Sequence, residues 1–270
     1  MMNKTEQIHK HILKENVVNT NDLKTISKKI LGKKDLSYLQ RKYLYRLQKT
    51  QKIGKIKKGL YYGIPLDEEK ETFNVDRYLL AHKIKQGYSL GYHSALELLG
   101  AAYSATNIIY VLIQKKKRFP SFHFQQVTYQ PVINNLLSIH LKTVHYQNTQ
   151  ITITDPARTF VECLHRLDLC GGWEECLKSL ANLKNIKISD VKNVLSFYNN
   201  TTLTLKTGYI LELLSNTSPY FHHIKTETLE SFTPKETWIP VYIDRTVPST
   251  YNKKWGLYIP KGTNEILRGI

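Results

Sequence analysis

The stretch IGKIKKGLYYGIP, residues 53–65, places apolar and aromatic residues on either side of two lysines and a glycine. Ile56 and Leu60 flank a turn that is predicted at Lys57, Lys58 and Gly59. Glycine takes the positive φ that closes a tight turn without a steric penalty. The pattern therefore predicts a β-hairpin that carries basic side chains.

Two short helices are predicted before this hairpin. The first covers residues 5–15, where apolar residues recur at helical spacing. After a break at residues 16–19, Thr20 is expected to cap the second helix and Gly32 to end it. The inward stripes of the two helices are Ile8, Ile12 and Leu13, and then Leu23, Ile26 and Ile30.

A third helix is predicted over residues 37–49, with Asp35 or Ser37 as its N-cap. At about 100° per residue, one face of this helix is apolar and the opposite face carries tyrosines and cations. The residues that we expect to be buried are Leu39, Tyr43, Leu44 and Leu47.

Three helices followed by a basic hairpin predict a winged helix-turn-helix. In this interpretation the third helix lies in a DNA major groove, and the hairpin lysines contact the flanking backbone. The alternative is a solvated basic helical bundle with an unrelated hairpin. The predicted DNA-binding residues are Ser37, Tyr38, Arg41, Lys42, Tyr45 and Lys49 on the helix, and Lys55, Lys57 and Lys58 on the hairpin.

The charge of the chain supports a polyanionic partner. The 270 residues carry 39 Lys or Arg against 22 Asp or Glu, a net charge of +17. Within residues 1–65 alone there are 16 basic and 4 acidic residues, so most of the excess lies in the first quarter. Together with the predicted winged helix-turn-helix, this charge makes double-stranded DNA the expected partner.

The acidic stretch PLDEEKETF, residues 65–73, opens with proline and is interpreted as a linker. It divides the chain into a DNA-binding domain at residues 1–65, a linker at 66–73 and an α+β domain at 74–270. In the last of these, Asn74 is expected to cap one helix, and a second is expected near residues 93–99.

Strand patterns follow from residue 107 and indicate a small, mainly antiparallel sheet. Asp155 and Pro156 are expected to start a helix that leaves this sheet. The predicted strands are IIYVLI, FHFQQVTY, KTVHY, ITIT, WIPVYID and WGLYIP, and the further helices cover 173–184, 189–198 and 203–215.

Neither a cofactor nor a metal site is predicted. Cys163, Cys170 and Cys176 lack the paired short spacing of a zinc site, and we expect free thiols in a reducing compartment. The chain has no apolar run of the about 18 to 20 residues that spans a bilayer, and its first ten residues lack the apolar segment of a signal peptide. A cytoplasmic protein without a membrane partner is expected.

Three motifs resemble the AbiEi family of abortive-infection antitoxins, which are also described as predicted transcriptional regulators of viral defence systems. They are GYHSALELLGA at 91–101, TDPARTFVECLHRLDLCGGWEE at 154–175 and KTGYILELL at 206–214, in that order behind KKGLYYGI. The resemblance covers about residues 5–215. It implies an autorepressor that binds its own promoter and counters a nucleotidyltransferase-like toxin, without requiring a stable complex. It supplies no catalytic residue, and a structural role for the motif residues is the favoured interpretation.

Two enzymatic functions lack the sequence patterns that they require. A carboxylate-based nuclease lacks its pattern, because Asp244 and Glu227 stand without a neighbouring Glu-x-Lys. A phosphate-binding loop is absent because GYHSALELLG lacks the lysine and the glycine spacing. No enzyme is therefore predicted. Three alternatives to the antitoxin and autorepressor remain open. They are a stand-alone winged-helix transcription factor, an RNA-binding protein that uses its basic head and 18 tyrosines, and a nuclease.

Overall fold

The computed structural model describes residues 2–32, 35–233 and 240–268. The protein belongs to the α+β class, and its described residues form helices and three sheets. Two compact units make up the chain: the first is Met1–Tyr88 with Phe119–Tyr129, and the second is Ser89–Arg118 with Gln130–Ile270. Residues 66–88, which include the predicted linker, group with the first unit. None of the described helices is long and apolar enough to cross a membrane.

The first unit contains the three predicted helices and a three-stranded antiparallel sheet in the order β1-β3-β2. The third helix, α3, is continuous but changes its winding in the middle. The elements are α1 (Lys4–Glu15), β1 (Val17–Asn19), α2 (Thr20–Leu31), α3 (Leu36–Tyr38, Leu39–Leu44 and Tyr45–Lys49), β2 (Ile53–Lys57), β3 (Leu60–Gly63) and α4 (Arg77–Ile84).

The hairpin of β2 and β3 is present as predicted, and Gly59 in its turn has φ +79°. The strand β1 was not predicted. It occupies the expected break between the first two helices and pairs with β3, so that Val18 lies opposite Tyr61. Because both valines of β1 are buried, this short strand closes the sheet against the helices.

The caps of two helices differ from expectation. Asn19, not Thr20, caps α2: its side chain accepts hydrogen bonds from the backbone N–H groups of Asn21 and Asp22. The Thr20 hydroxyl instead donates to the carbonyl oxygen of Gly59 at 3.4 Å. Asp76, not Asn74, caps α4. Asparagine is preferred to threonine at the cap position, which accounts for Asn19 at α2.

The second unit is built on a sheet in which its strands follow the order β7-β5-β4-β9-β8. The pair β8–β9 is antiparallel over six residues, whereas β4 pairs with β9 in parallel. The elements are β4 (Ser89–Leu90), α5 (His93–Leu98), β5 (Ile108–Ile113), β6 (Phe122–Phe124), β7 (Val127–Ile133), β8 (Leu141–Tyr146) and β9 (Thr149–Thr154). Of these, β6 and the first residues of β7 belong to the first unit.

The stretch FHFQQVTY was predicted to be one strand, but it forms a hairpin. Gln125 and Gln126 have φ values of +46° and +61° and turn the chain between β6 and β7. The Gln125 side chain stabilises this turn, since its Oε1 accepts from the Val75 N–H at 2.8 Å and its Nε2 donates to the Phe73 carbonyl at 2.7 Å. Tertiary hydrogen bonds therefore replace the glycine or asparagine that such a turn usually contains.

Four consecutive helices follow β9 and supply much of the core of the second unit. The first begins as predicted: the Asp155 carboxylate accepts from the Arg158 N–H at 2.8 Å, and Pro156 occupies the first turn. Gly171, with φ +79°, precedes the second. These helices are α6 (Pro156–His165), α7 (Gly172–Ala181), α8 (Ile188–Tyr198) and α9 (Thr201–Thr217), followed by the short α10 (Thr226–Leu229).

The chain ends in a second sheet of the same unit, ordered β10-β12-β11. The strand β11 was not predicted, and of the predicted strand WIPVYID, Trp238 and Ile239 lie outside the described residues. Ile243 and Leu257 face the core, together with the fully buried Trp255. The elements are β10 (Val241–Tyr242), β11 (Ser249–Asn252), β12 (Leu257–Pro260) and α11 (Thr263–Leu267).

Candidate nucleic-acid interface

The inner face of α3 is apolar and buried, as its sequence predicts. Its side chains join those of α1 and α2 and three residues of the sheet in one hydrophobic cluster, so that α3 is anchored along its length. The four α3 residues are Leu39, Tyr43, Leu44 and Leu47, and their buried partners include Ile8, Ile12, Leu23, Ile26, Ile53 and Tyr61.

The outer face of α3 is polar and cationic. Tyr45 is 66% exposed, which is a large fraction for an aromatic side chain. Ser37 and Tyr38 are only partly exposed, and the Tyr38 ring packs edge-on against Tyr43 at a centroid distance of 5.8 Å. The predicted residues that are fully on the exposed side are Arg41, Lys42, Tyr45 and Lys49.

Hydrogen bonds within α3 orient part of this face. The ammonium group of Lys42 donates to the Tyr38 hydroxyl at 3.1 Å, and Arg41 Nε donates to the Ser37 carbonyl at 3.4 Å. Ser37 lies at the helix start, where its N–H donates to the Asp35 carboxylate at 2.9 Å. Ser37 and Tyr38 therefore help to place Lys42 and Arg41.

The middle of α3 is π-helical over Leu39–Leu44, and the Tyr45 N–H bonds the Gln40 carbonyl five residues back. A regular helical wheel at about 100° per residue places Arg46 next to Leu39, at the edge of the buried face. The wider π-helical turn changes this phase, and Arg46 is exposed. Arg46 is thus an outward-facing cation that the sequence pattern misses, because a single-turn change in winding has no periodic signal.

The hairpin presents two of its three predicted lysines to solvent. Lys55 and Lys58 are exposed, and Lys58 with Gly59 forms the turn between β2 and β3. A shift of register between Lys55 and Lys57 marks a bulge at Ile56. A bulge turns the following side chain away from its regular alternation.

Lys57 is not part of the exposed set that we predicted. Its ammonium group lies 3.6 Å from the ring centroid of Phe122 and 5.1 Å from that of Phe119. Burial lowers the pKa of Lys57 to about 8, with a smaller effect from the charge of Lys85. Phe119 and Phe122 are more than 60 residues away in the sequence, so the pattern of the hairpin gives no sign of this contact.

The motifs of the second unit form two polar networks that are largely buried. In the first, Glu175 accepts hydrogen bonds from the backbone and hydroxyl of Ser104 and from the Ser179 hydroxyl, and its Oε1 lies 3.2 Å from His93 Nε2. Burial alone would raise the pKa of Glu175, but the hydrogen bonds from Ser104, Ser179 and His93 outweigh it and lower the pKa. The network joins α5 to α7.

The second network surrounds the buried ion pair of Arg158 and Glu162, whose Nε and Oε1 atoms are 2.9 Å apart. Glu162 Oε1 also accepts from Asn134 Nδ2 at 3.0 Å and from the Tyr198 hydroxyl at 2.9 Å. Arg158 donates to two carbonyl groups, those of Leu136 and Ile139. Both side chains are at most 1% exposed, so these motif residues form part of the interior of the unit.

The three cysteines are free and buried, as predicted. Burial raises the pKa of Cys163 and Cys170, and contact with Cys170 together with burial raises that of Cys176. Throughout the described ranges, no group of three or more His, Cys, Asp or Glu side chains is placed to hold a metal ion.

No family model matches the chain, and no curated protein does. Among solved structures, the chain is similar to the Rv2827c protein from Mycobacterium tuberculosis. The TM-score is 0.68 at 17% sequence identity, and the match covers 98% of this chain and 94% of that one. At this identity the likeness shows that the two chains share a fold over nearly their whole length.

Proposed function

We propose that this chain is a DNA-binding transcriptional regulator, and that it acts as the antitoxin and operon autorepressor of a type IV toxin-antitoxin system. The observation that carries the DNA-binding part is the outer face of α3, where Arg41, Lys42, Tyr45 and Lys49 are exposed above a fully buried apolar face. A rigidly anchored helix with such a face presents cations to phosphates and longer side chains to base edges.

The proposal assigns a winged helix-turn-helix to the first unit. This assignment is supported by three helices and a three-stranded antiparallel sheet that ends in a tight hairpin. In the proposed complex α3 lies in the major groove, and Lys55 and Lys58 contact the flanking backbone. Arg46 joins the α3 residues as a further candidate, and Lys57 is left out because its ammonium group faces aromatic rings.

The antitoxin part is supported by the resemblance of the three motifs of the second unit to AbiEi-type antitoxins. In this proposal the partner is a nucleotidyltransferase-like toxin encoded by a neighbouring gene, which the chain counters without a stable complex. The chain itself is assigned no catalytic role. The motif residues would then maintain the fold that presents the antitoxin surface, since Glu162 and Glu175 are engaged inside the unit.

Fluorescence anisotropy with the duplex upstream of the chain's own start codon, and with random duplex of equal length, tests the DNA-binding part. Arg41→Ala or Tyr45→Ala should reduce the discrimination between the two duplexes by about 1–3 kcal/mol if the residue reads a base. The Lys55→Ala/Lys58→Ala variant should weaken both complexes and lower the salt slope by about 0.9 per lost phosphate contact. Lys142→Ala, which removes an exposed lysine of β8, is the matched control.

Two outcomes would contradict this assignment. Equal losses on both duplexes after Arg41→Ala and Tyr45→Ala would mean that α3 touches only backbone. Displacement of the duplex by single-stranded RNA at equal concentration would favour an RNA-binding head. The antitoxin part is tested separately by co-expression with the neighbouring nucleotidyltransferase-like gene, where Arg41→Ala should abolish repression but still rescue growth.

A further inference from the structure

Three tyrosines form a row across the C-terminal sheet. Tyr258 on the central strand β12 lies opposite Tyr242 of β10 and opposite Tyr251 of β11. The ring centroids of Tyr242 and Tyr258 are 4.3 Å apart with nearly parallel planes, and those of Tyr251 and Tyr258 are 5.4 Å apart. The row therefore runs from one edge of the sheet to the other.

The row lies on the face of the sheet that the core does not use. Leu257 and Ile243, the chain neighbours of Tyr258 and Tyr242, are buried in the core, so strand alternation turns the tyrosines outward. Tyr242 is 38% exposed and Tyr251 is 46% exposed. Cross-strand aromatic pairs stabilise a sheet by themselves, but that role does not require the two outer rings to remain open to solvent.

A hollow of about 280 Å³ lies at the β11 edge of the sheet, and Tyr251 is one of its lining residues. The cross-strand pair Thr250 and Ile259, which faces the other side of the sheet, also lines it. Its volume is slightly below the about 300 Å³ at which pockets for drug-sized ligands begin, so it suits one nucleotide or a group of similar size. Amide and hydroxyl groups in its lining can donate to and accept from a base edge. The polar lining includes Thr250, Asn252, Lys261, Asn264 and Glu265.

The segment that forms this sheet carries a net positive charge. Between residues 240 and 268 there are five cations and two carboxylates. One of the carboxylates, Asp244, accepts from the N–H and the hydroxyl of Thr246. Among the cations, Lys254 forms an ion pair with Glu212. The cations are Arg245, Lys253, Lys254, Lys261 and Arg268.

We propose that the tyrosine row and the hollow at the β11 edge of the sheet bind single-stranded nucleic acid. The ligand must offer flat aromatic groups to tyrosine rings, polar edges to the hollow and negative charge to Lys253 and Lys261, and unpaired nucleotides offer all three. Bases extend the row by stacking on the outer faces of Tyr242 and Tyr251, and one nucleotide enters the hollow. Stacking on aromatic side chains is the common way in which proteins hold unpaired bases without strong sequence preference.

This inference does not depend on the DNA-binding function proposed for the first unit. The chemistry is shared by RNA and DNA, because both contain bases that stack and phosphates that attract lysine. Contacts to the 2′-hydroxyl would distinguish them. A second copy of the chain, or a peptide strand added at the edge strand β11, would use the same surface without needing its cations.

The test is anisotropy of fluorescein-labelled 12-nucleotide oligo(U) and oligo(dT) with the full chain. Tyr242→Ala and Tyr251→Ala should each weaken binding at least about fivefold, as expected when a base loses its stacking partner. Tyr242→Phe and Tyr251→Phe keep the ring and should bind like the wild type. Tyr220→Ala is the matched control, because Tyr220 is 39% exposed in the same unit and Lys184 Nζ lies 4.9 Å from the centroid of its ring.

A second variant separates this surface from the first unit. Arg41→Ala/Lys49→Ala should lose duplex binding and keep oligonucleotide binding, and a 4-thiouridine oligonucleotide should crosslink to the peptide that contains Tyr251. The proposal is overturned if Tyr251→Ala and Tyr220→Ala bind oligonucleotides equally, or if Arg41→Ala/Lys49→Ala abolishes oligonucleotide binding. It is also overturned if light scattering shows that Tyr251→Ala dissociates a dimer while oligonucleotide affinity is unchanged.

Discussion

The ammonium group of Lys57 lies 3.6 Å from the ring centroid of Phe122. Aromatic rings attract a cation through their quadrupole, whereas burial disfavours the charged form of lysine. The pKa of Lys57 is lowered to about 8, so the burial penalty exceeds the attraction. A lysine that stands between two DNA-binding candidates in the sequence is thus part of the packing of the first unit.

Replacing Lys57 by methionine should stabilise the protein at pH 7, because an apolar side chain of similar length removes the buried charge. Between the lowered pKa of about 8 and the ordinary value of 10.5, the folded state binds fewer protons than the unfolded state. The stability of the wild type should therefore rise with pH across that window and approach that of Lys57→Met. Urea unfolding from pH 7 to pH 10 measures this.

The exposed Lys58 supplies the control for that experiment. Lys58→Met should leave the free energy of unfolding within about 0.5 kcal/mol of the wild type, as surface substitutions usually do. If Lys57→Met is the less stable protein at pH 7, the attraction between the cation and Phe122 outweighs burial, contrary to our interpretation.

Gly59 should tolerate alanine poorly for two separable reasons. Its φ of +79° costs an L-residue about 1–2 kcal/mol, and an added Cβ would lie 2.4 Å from the Thr20 hydroxyl oxygen. Gly32→Ala isolates the first cost, because Gly32 has φ +66° with no atom within 4 Å of its Cβ position. Gly59→Ala should be the more destabilising of the two by thermal unfolding, and Thr20→Ala should remove the difference. If Thr20→Ala gives no rescue, the close approach plays no part.

The pair of Arg158 and Glu162 should be costly to break on one side only. Arg158→Met leaves a buried carboxylate without its cation, and we expect a loss of about 3–5 kcal/mol in the free energy of unfolding. Arg158→Met/Glu162→Met should lose less than the single variant. Arg166→Met is the control, because Arg166 and Asp168 form an exposed pair on the same segment and such pairs contribute about 0–1 kcal/mol. If Arg158→Met/Glu162→Met has a lower free energy of unfolding than Arg158→Met, the loss is not an effect of the unpaired charge.

His140 should make the stability of the second unit depend on pH. Its Nδ1 lies 2.8 Å from the Asp155 carboxylate and its Nε2 lies 2.8 Å from the side-chain amide oxygen of Asn193, so both ring nitrogens face acceptors. Burial lowers the pKa of His140, but the hydrogen bonds to Asn193 and Asp155 outweigh it and raise the pKa.

A raised histidine pKa gives stability that is fully present below the ordinary value of 6.5 and is lost as pH rises through the folded-state pKa. The wild type should therefore exceed His140→Gln in stability most clearly at pH 5.5 and less at pH 8, as measured by urea unfolding. Asn193→Ala should reduce the effect. A difference between the two proteins that does not change with pH would show that His140 acts only by packing.

Periodic features were predictable from the sequence, and the contacts that modify them were not. The buried face of α3 follows from the spacing of Leu39, Tyr43 and Leu47, and the start of α6 follows from the cap Asp155 with Pro156. These signals are local, because a helix repeats its neighbours every three to four residues and an N-cap acts within three.

The structural features that the sequence did not predict have a common physical cause. They are stabilised by residues that are remote in sequence. The strand β1 is only three residues long and exists because β3 pairs with it. The turn at Gln125 lacks glycine and depends on hydrogen bonds to Phe73 and Val75. The aromatic contacts that withdraw Lys57 from solvent are of the same kind. Short elements and single side chains take their conformation from tertiary contacts that no local pattern encodes.

The first unit is discontinuous, since it is complete only with Phe119–Tyr129. Vectorial synthesis on a ribosome delivers residues in order, so the nascent chain holds an unfinished first unit while the 30 residues of Ser89–Arg118 emerge. Gln125 is synthesised after these residues and then forms its hydrogen bonds with Phe73 and Val75. Domains that are contiguous generally fold as units in the order of their synthesis. Here the amino-terminal unit is complete only after residues 119–129 have been synthesised. A gene fragment that stops at Tyr88 therefore encodes this unit without the hairpin of β6 and β7.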